Sequence, residues 1–225
     1  MIKAVLFDMD GVLYDSMPNH TSSWIKVMQN HGIYMSDIDA YMNEGRTGDE
    51  TIDLISKREG RIIGREERKQ MYEEKKAIFS ACPQVAPFKE SGELLKKVAG
   101  SGLKIMLVTG SGQPSLLDAL NDDFPNIFTR DNMVTSFDVK HGKPHPEPYL
   151  TALCKGCLNA SEAVVVENSP LGVEAAVAAG IYTIAVNTGP LPDETLLNVG
   201  ANRLLPSIAA LLHEWDKIIK ELPAN

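Results

Sequence analysis

The chain has 225 residues, 44% hydrophobic and 23% charged, values of a folded globular protein and remote from those of disordered chains. Its 22 Lys and Arg against 30 Asp and Glu give a formal charge of −8, which repels polyanions. With no basic run to form a stripe, a nucleic-acid partner is excluded. No apolar segment reaches the ~20 residues that span a bilayer, and Met1–Ala4 enters a strand-like run without the small-residue cleavage site of a signal peptide. Cys82, Cys154 and Cys157 are an odd number of cysteines, so reduced thiols, no membrane partner and a cytoplasmic location are the expectation. Cys154-Lys-Gly-Cys157 has CxxC spacing, but no second pair accompanies it.

In chain order, Ile2–Phe7, Leu103–Thr109, Met133–Phe137, Ala163–Glu167, Tyr182–Asn187 and Arg203–Leu205 read as strands. They are rich in Val and Ile and apolar on both faces, as strands of a parallel sheet buried between helices must be. Between and after them lie helical segments at Ser91–Ala99, Pro114–Leu120, Glu147–Cys154, Pro170–Ala179 and Ser207–Glu221. Pro114 and Pro170 suit a first helical turn, and Gly180 suits a cap. The alternation predicts an α/β fold, a doubly wound parallel sheet.

About seventy residues separate the first two strands without a convincing β run, too many for one crossover. Trp24, Val27, Met28 and His31 recur at helical spacing, and Glu66–Ile78 reads as a charged helix carrying apolar Met71, Tyr72 and Ile78. The expected organisation is a core of residues 1–17 and 88–225 with a helical insert at 18–87. Linkers near Asp15–Pro18 and Pro83–Pro87 would let the insert pivot as a lid over the carboxyl ends of the strands.

The chemistry-bearing residues stand at those strand ends. Asp8-Met9-Asp10-Gly11 closes the first strand and places two carboxylates where α/β sheets bind ligands. Asp-x-Asp also opens a calcium loop, but Val12 and Tyr14 occupy the next ligand positions and exclude that reading. Thr109-Gly110-Ser111-Gly112 ends the second strand with a hydroxyl and backbone amides that can cradle an anion. It lacks the Gly-Lys-Ser/Thr of a Walker loop and the third glycine of a dinucleotide fingerprint. Lys143 follows in a proline-rich loop, Gly142–Pro148, and Glu167-Asn168-Ser169 supplies oxygen ligands after the fourth strand.

At these residues the sequence resembles the haloacid dehalogenase superfamily, whose four motifs match Asp8-Met9-Asp10-Gly11, Thr109-Gly110-Ser111, Lys143 and Glu167-Asn168 in order. The helical insert looks like its type 1 cap, and the layout is similar to the β-phosphoglucomutase-like branch. The resemblance implies Asp8 as a nucleophile forming an aspartyl-phosphate, with Asp10 as general acid and then base. Thr109 and Lys143 would stabilise the phosphoryl group, beside Gly110 and Ser111. It further implies Mg2+ held by Asp8, Asp10 and Glu167 or Asn168. Halide leaves unprotonated, so the second acid, Asp10, favours phosphoryl transfer over dehalogenation.

His20 and the glycine-punctuated loop Asn43–Glu50, with Glu44 and Arg46, are the candidate leaving-group contacts in the lid. Mutases of the branch carry an arginine in the register of Gly48, from which Arg46 is displaced. Glu44-Gly45-Arg46-Thr47-Gly48, with Glu167-Asn168 and Asn187–Leu191, looks more like a bacterial group that includes inorganic pyrophosphatases. The expected activity is magnesium-dependent hydrolysis of pyrophosphate or a small phosphorylated metabolite. β-Phosphoglucomutase is the enzyme alternative, and a phosphate-sensing module without turnover is the non-enzyme one.

Overall fold

The computed structural model describes residues 1–111 and 116–222. In chain order, β1 (Ala4–Phe7) is followed by four helices, α1 (Met17–Asn30), α2 (Asp37–Met42), α3 (Gly48–Arg58) and α4 (Arg65–Ser80). Then come α5 (Ser91–Gly100), β2 (Lys104–Val108), α6 (Leu116–Asp123), β3 (Met133–Val134), α7 (Glu147–Gly156) and β4 (Ala163–Glu167). The chain closes with α8 (Pro170–Ala178), β5 (Tyr182–Val186), α9 (Asp193–Asn198), β6 (Arg203–Leu205) and α10 (Ile208–Glu221). All six strands pair in parallel in the order β3-β2-β1-β4-β5-β6.

Successive strand side chains feed opposite cores. Val5, Phe7, Val164 and Val166 pack with Leu94 of α5, Leu120 of α6 and Trp215 of α10. Ala4, Leu6, Ala163 and Val165 pack with Tyr149 and Ala152 of α7 and Ala175 and Ala176 of α8. Each fully buried Val, Leu or Phe contributes ~1.5–3 kcal/mol relative to exposure, so sheet and helices stabilise one another from both faces. This is the doubly wound α/β fold that the two-faced strands predict. The strand order reverses between β1 and β4, and the crevice for ligands opens beyond their carboxyl ends.

Helices α1–α4 share a core of their own, built on Trp24, Val27, Met28, Ile52, Ile55 and Met71. The two connections to the sheet run side by side: the Asp15 N–H donates to Ala86 O at 3.1 Å, and Asn19 Nδ2 donates to Pro83 O at 2.9 Å. Ser36 caps α2 in a reciprocal pair with Asp39, and Thr47 caps α3. These caps set the ends of the Asn43–Thr47 loop.

Three sequence expectations change in detail. The strand expected over Met133–Phe137 stops at Val134, because the Thr135 N–H and Oγ1 both donate to Asp138 Oδ2, at 2.8 and 2.9 Å, and turn the chain off the sheet. Helix α3 begins at Gly48 and takes in the end of the loop expected over Asn43–Glu50, and α9 appears where no helix was expected; Pro114, expected to open a helix, lies outside the described residues. No helix among the described residues is long and apolar enough to cross a membrane.

Candidate active site

The turn after β1 presents the two aspartates. Gly11 has φ +82°, a conformation that disfavours any side chain, and its N–H donates to Tyr14 O at 2.8 Å. A Cβ there would lie 2.0 Å from Asn168 Nδ2, so glycine also allows the Asn168 amide to pack directly on the turn. Thr188 Oγ1 donates to Gly11 O at 2.7 Å and ties the turn to the loop after β5.

Asp8 and Lys143 form a buried ion pair, with Nζ 2.5 Å from Oδ1. Lys143 also donates to Glu167 Oε1 at 2.6 Å and to Val108 O at 3.3 Å. Burial alone would drive the proton off Lys143, but Asp8 and Glu167 outweigh it and hold its pKa well above the ordinary lysine range.

Glu167 is fully buried and saturated. Oε1 accepts from Lys143 and from Tyr149 OH at 2.9 Å, while Oε2 accepts the Asn168 and Ser169 N–H groups at 2.8 and 3.0 Å and Ser169 Oγ at 3.1 Å. Neighbouring Asn168 is the opposite case: its Oδ1 is buried without a hydrogen-bond partner, an arrangement that costs stability unless something else satisfies the oxygen.

Asp10 Oδ1 accepts from Ser16 Oγ at 2.6 Å and lies 3.4 Å from His20 Nε2. The other face of His20 continues the chain of contacts, with Nδ1 2.8 Å from Lys75 Nζ and the ring stacked 4.3 Å from Phe79. Burial disfavours a charged Asp10, yet His20, Ser16 and Lys75 together hold its pKa below the ordinary range. Lys75 is buried against Trp24 and Phe79, and burial lowers its pKa.

The Asn43–Thr47 loop lies over this centre. A Cβ on Gly45 would stand 3.2 Å from Lys143 Cβ and Cδ, and one on Gly142 would stand 3.5 Å from Gly45 O. Glu44 is half-buried there; burial raises its carboxyl pKa and Asp10 adds to that, against the charges of His20, Lys75 and Lys143. Arg46 turns to its own loop, where Nε donates to Asn43 Oδ1 at 3.0 Å. Thr109 is buried at the end of β2, where its Oγ1 accepts the Ser111 N–H at 3.0 Å; Gly110 is exposed and Ser111 half-buried beside it.

Asp8, Asp10, Lys143, Glu167, Asn168, His20 and Glu44 thus meet at one place, with Thr109 at the neighbouring strand end. Sequence reasoning missed Ser16, Lys75, Tyr149 and Thr188. For Lys75 a signal existed: Met71, Lys75 and Ile78 share a helical face at i, i+4 and i+7, and a lysine on an apolar stripe is buried for a reason.

The centre carries four carboxylates, of Asp8, Asp10, Glu44 and Glu167, against the ammonium groups of Lys75 and Lys143. Burial, with Glu167 and Asp10, pushes the Asp8 carboxyl well above the ordinary range despite Lys143. Excess negative charge and an orphaned amide oxygen fit a hard divalent cation.

The family model of haloacid dehalogenase-like hydrolases matches residues 5–186, and the chain belongs to that family, in its β-phosphoglucomutase-like branch. A phosphorylated carbohydrates phosphatase of Thermotoga maritima is 34% identical over 217 residues, 91% of this chain and 94% of that protein. A validoxylamine A 7'-phosphate phosphatase of Streptomyces hygroscopicus is 29% identical, covering 84% and 87% of the two chains. A solved structure from Bacteroides vulgatus, provisionally described as a beta-phosphoglucomutase, matches with a TM-score of 0.94 and 53% identity over 99% of this chain and 91% of that one. The protein is therefore an enzyme, of the phosphatase or mutase-like kind found in this family.

Proposed function

We propose that the chain is a magnesium-dependent phosphohydrolase whose substrate is pyrophosphate or a small phosphorylated metabolite. The observation that carries this reading is the approach of a carboxylate, Glu44, to Asp10 and Lys143 from the lid loop, while Arg46 is engaged with Asn43. A mutase must grip the far phosphate of a sugar bisphosphate, which calls for a cation at that position. A carboxylate there suits a metal-coordinated leaving group and disfavours a bare second phosphate.

Asp8 attacks phosphorus as the bond to the leaving oxygen breaks, and Asp10 gives that oxygen a proton. Asp10 is held charged before substrate enters, and the arriving anionic phosphate raises its affinity for the proton it then transfers. In the second half Asp10 takes a proton from water as the water attacks phosphorus, freeing phosphate and regenerating the Asp8 carboxylate. Lys143 and Thr109 neutralise the equatorial oxygens in both halves. Bound Mg2+ would screen the repulsion between carboxylate and phosphate. Its holders would be the Asp8 side chain, the Asp10 carbonyl and the Asn168 amide oxygen, while saturated Glu167 holds Lys143 in place. The lid at residues 18–87 covers the reaction and reads the leaving group through His20 and Glu44.

The likeness to the Bacteroides vulgatus structure favours a second reading, β-phosphoglucomutase. The hydrolase reading is tested by phosphate release from pyrophosphate, hexose phosphates, β-glucose 1-phosphate and acetyl phosphate, with magnesium and with chelator. Release that needs magnesium and favours pyrophosphate or one small ester supports it. Full activity in chelator, or release from none of these compounds, rejects it.

A further inference from the structure

The loop that carries Lys143 has a second cluster on its outer side. Lys143 points inward with its side chain 3% exposed, whereas the side chains of His141 and His145 are 64% and 52% exposed. Glu147, the first residue of α7, lies against both: Oε2 is 2.7 Å from His141 Nδ1 and 4.0 Å from His145 Nδ1. The two imidazoles stand 4.7 Å apart between ring centres, and one potential ligand atom from each of the three residues falls within 4.8 Å of the others.

We propose that His141, His145 and Glu147 form a binding site for a borderline divalent cation, Zn2+ by preference, separate from the position between Asp8 and Asn168. The donor set selects the ion. Two imidazoles and one carboxylate suit Zn2+, Ni2+ or Cu2+, whereas Mg2+ and Ca2+ seek oxygen alone. Four-coordinate zinc with bonds of ~2.0–2.1 Å sets its ligand atoms roughly 3.3–3.5 Å apart, and three protein ligands leave one position for water. The 2.7 and 4.0 Å separations bracket that spacing, so small side-chain rotations complete the site.

The carboxylate is already oriented. Glu147 Oε1 accepts the Lys140 N–H at 2.8 Å and Oε2 accepts the His141 N–H at 3.0 Å, the kind of outer contact that supports metal ligands. His145 Nδ1 accepts the Glu147 N–H at 3.1 Å, and ligation exchanges this one hydrogen bond for a metal–nitrogen bond. Pro144, Pro146 and Pro148 alternate with the ligands and reduce the backbone freedom lost on binding. Because the ligands flank Lys143 in sequence, a bound ion ties together both sides of the loop that presents the catalytic ammonium. Thermal unfolding should shift upward with zinc.

The test is calorimetric titration of Zn2+ into tag-free, full-length protein in excess magnesium, with Co2+ absorption as an independent report of imidazole ligation. Wild type and Asn168→Ala should bind one equivalent of zinc with similar affinity. The His141→Ala/His145→Ala variant should lose at least about 10–100-fold in zinc affinity and the zinc-induced thermal shift, with magnesium-dependent phosphate release unchanged in the absence of zinc. Glu147→Gln, read against its own zinc-free unfolding curve, should weaken zinc binding too and keeps the test available should the double variant fold poorly. Undiminished zinc binding in these variants overturns the proposal. So does the absence of zinc binding in wild type, or a zinc equivalent lost only with Asn168→Ala, which would place the ion among the catalytic carboxylates.

Discussion

Gly172 and Glu167 are packed so closely that a Cβ on the glycine would lie 1.7 Å from Glu167 Oε1. The first turn of α8 therefore passes directly over the carboxylate that holds Lys143, and Ser169, the N-cap of that helix, donates to the same carboxylate while accepting the Gly172 N–H at 3.1 Å. Gly172→Ala should shift Glu167, loosen Lys143 from Asp8 and lower stability by ~1–3 kcal/mol, the usual scale of overpacking. Denaturant unfolding and phosphate release measured together check this; a variant with wild-type stability and turnover would show that α8 does not constrain Glu167.

Asp8→Asn preserves volume but removes the attacking charge. Turnover should vanish while the fold and substantial phosphate binding remain, because Lys143 keeps Glu167 as a partner. Asp10→Ala should retain residual turnover reduced by roughly 10²–10⁴-fold, the scale of general acid–base loss. Steady-state rates of the two purified variants test the division of roles, and near-normal activity of Asp8→Asn would reject Asp8 as nucleophile.

Glu44 carries a stability cost. Burial raises its folded-state pKa above the ordinary 4.5. Between the two values the folded chain holds a proton that the unfolded chain releases, so stability falls as pH rises through that window and stays reduced above it. Glu44→Gln removes the charge and should stabilise the metal-free protein at neutral pH, with the advantage closing as pH falls toward 4.5. Denaturant midpoints across that range decide the matter, and a variant no more stable than wild type at neutral pH contradicts the assignment.

The contacts Lys75–His20–Asp10, at 2.8 and 3.4 Å, should set the proton affinity of Asp10 from helices α1 and α4. Lys75→Met removes the buried cation, so the Asp10 pKa rises and the acidic limb of the kcat profile moves to higher pH; Lys75→Arg should restore part of the shift. An unmoved limb in Lys75→Met, with reduced kcat at every pH, would assign Lys75 a packing role only.

The sheet was legible because β1, β2, β4 and β5 are rich in buried apolar residues and are closed or followed by Asp8, Thr109, Glu167 and Asn187. Ala163–Glu167 and Arg203–Leu205 fall at the expected bounds, whereas β3 ends early because a side-chain turn at Asp138 decides its length. Helices α2 and α9, of six residues each, are too short for periodicity to register. The residues that meet at the candidate site were legible as local strings, but their mutual contacts were not. That Glu167 is saturated and the Asn168 oxygen orphaned depends on Tyr149, Ser169 and Lys143 arriving from different elements. Lys75 escaped notice for the same reason, since its contact with His20 spans 55 positions of sequence.

Hydrolysis and isomerisation leave different products, and the ratio of those products separates a hydrolase from a mutase. Phosphorus NMR should follow wild type and Glu44→Ala with magnesium on pyrophosphate, on acetyl phosphate, and on β-glucose 1-phosphate primed with a trace of the bisphosphate. A hydrolase that reads its leaving group through Glu44 should form free phosphate faster than glucose 6-phosphate, and Glu44→Ala should impair pyrophosphate cleavage more than acetyl phosphate cleavage, because only pyrophosphate presents a leaving phosphate to the Asn43–Thr47 loop. Glucose 6-phosphate appearing faster than free phosphate would contradict the hydrolase reading, and equal losses on the two hydrolytic substrates would remove Glu44 from leaving-group recognition.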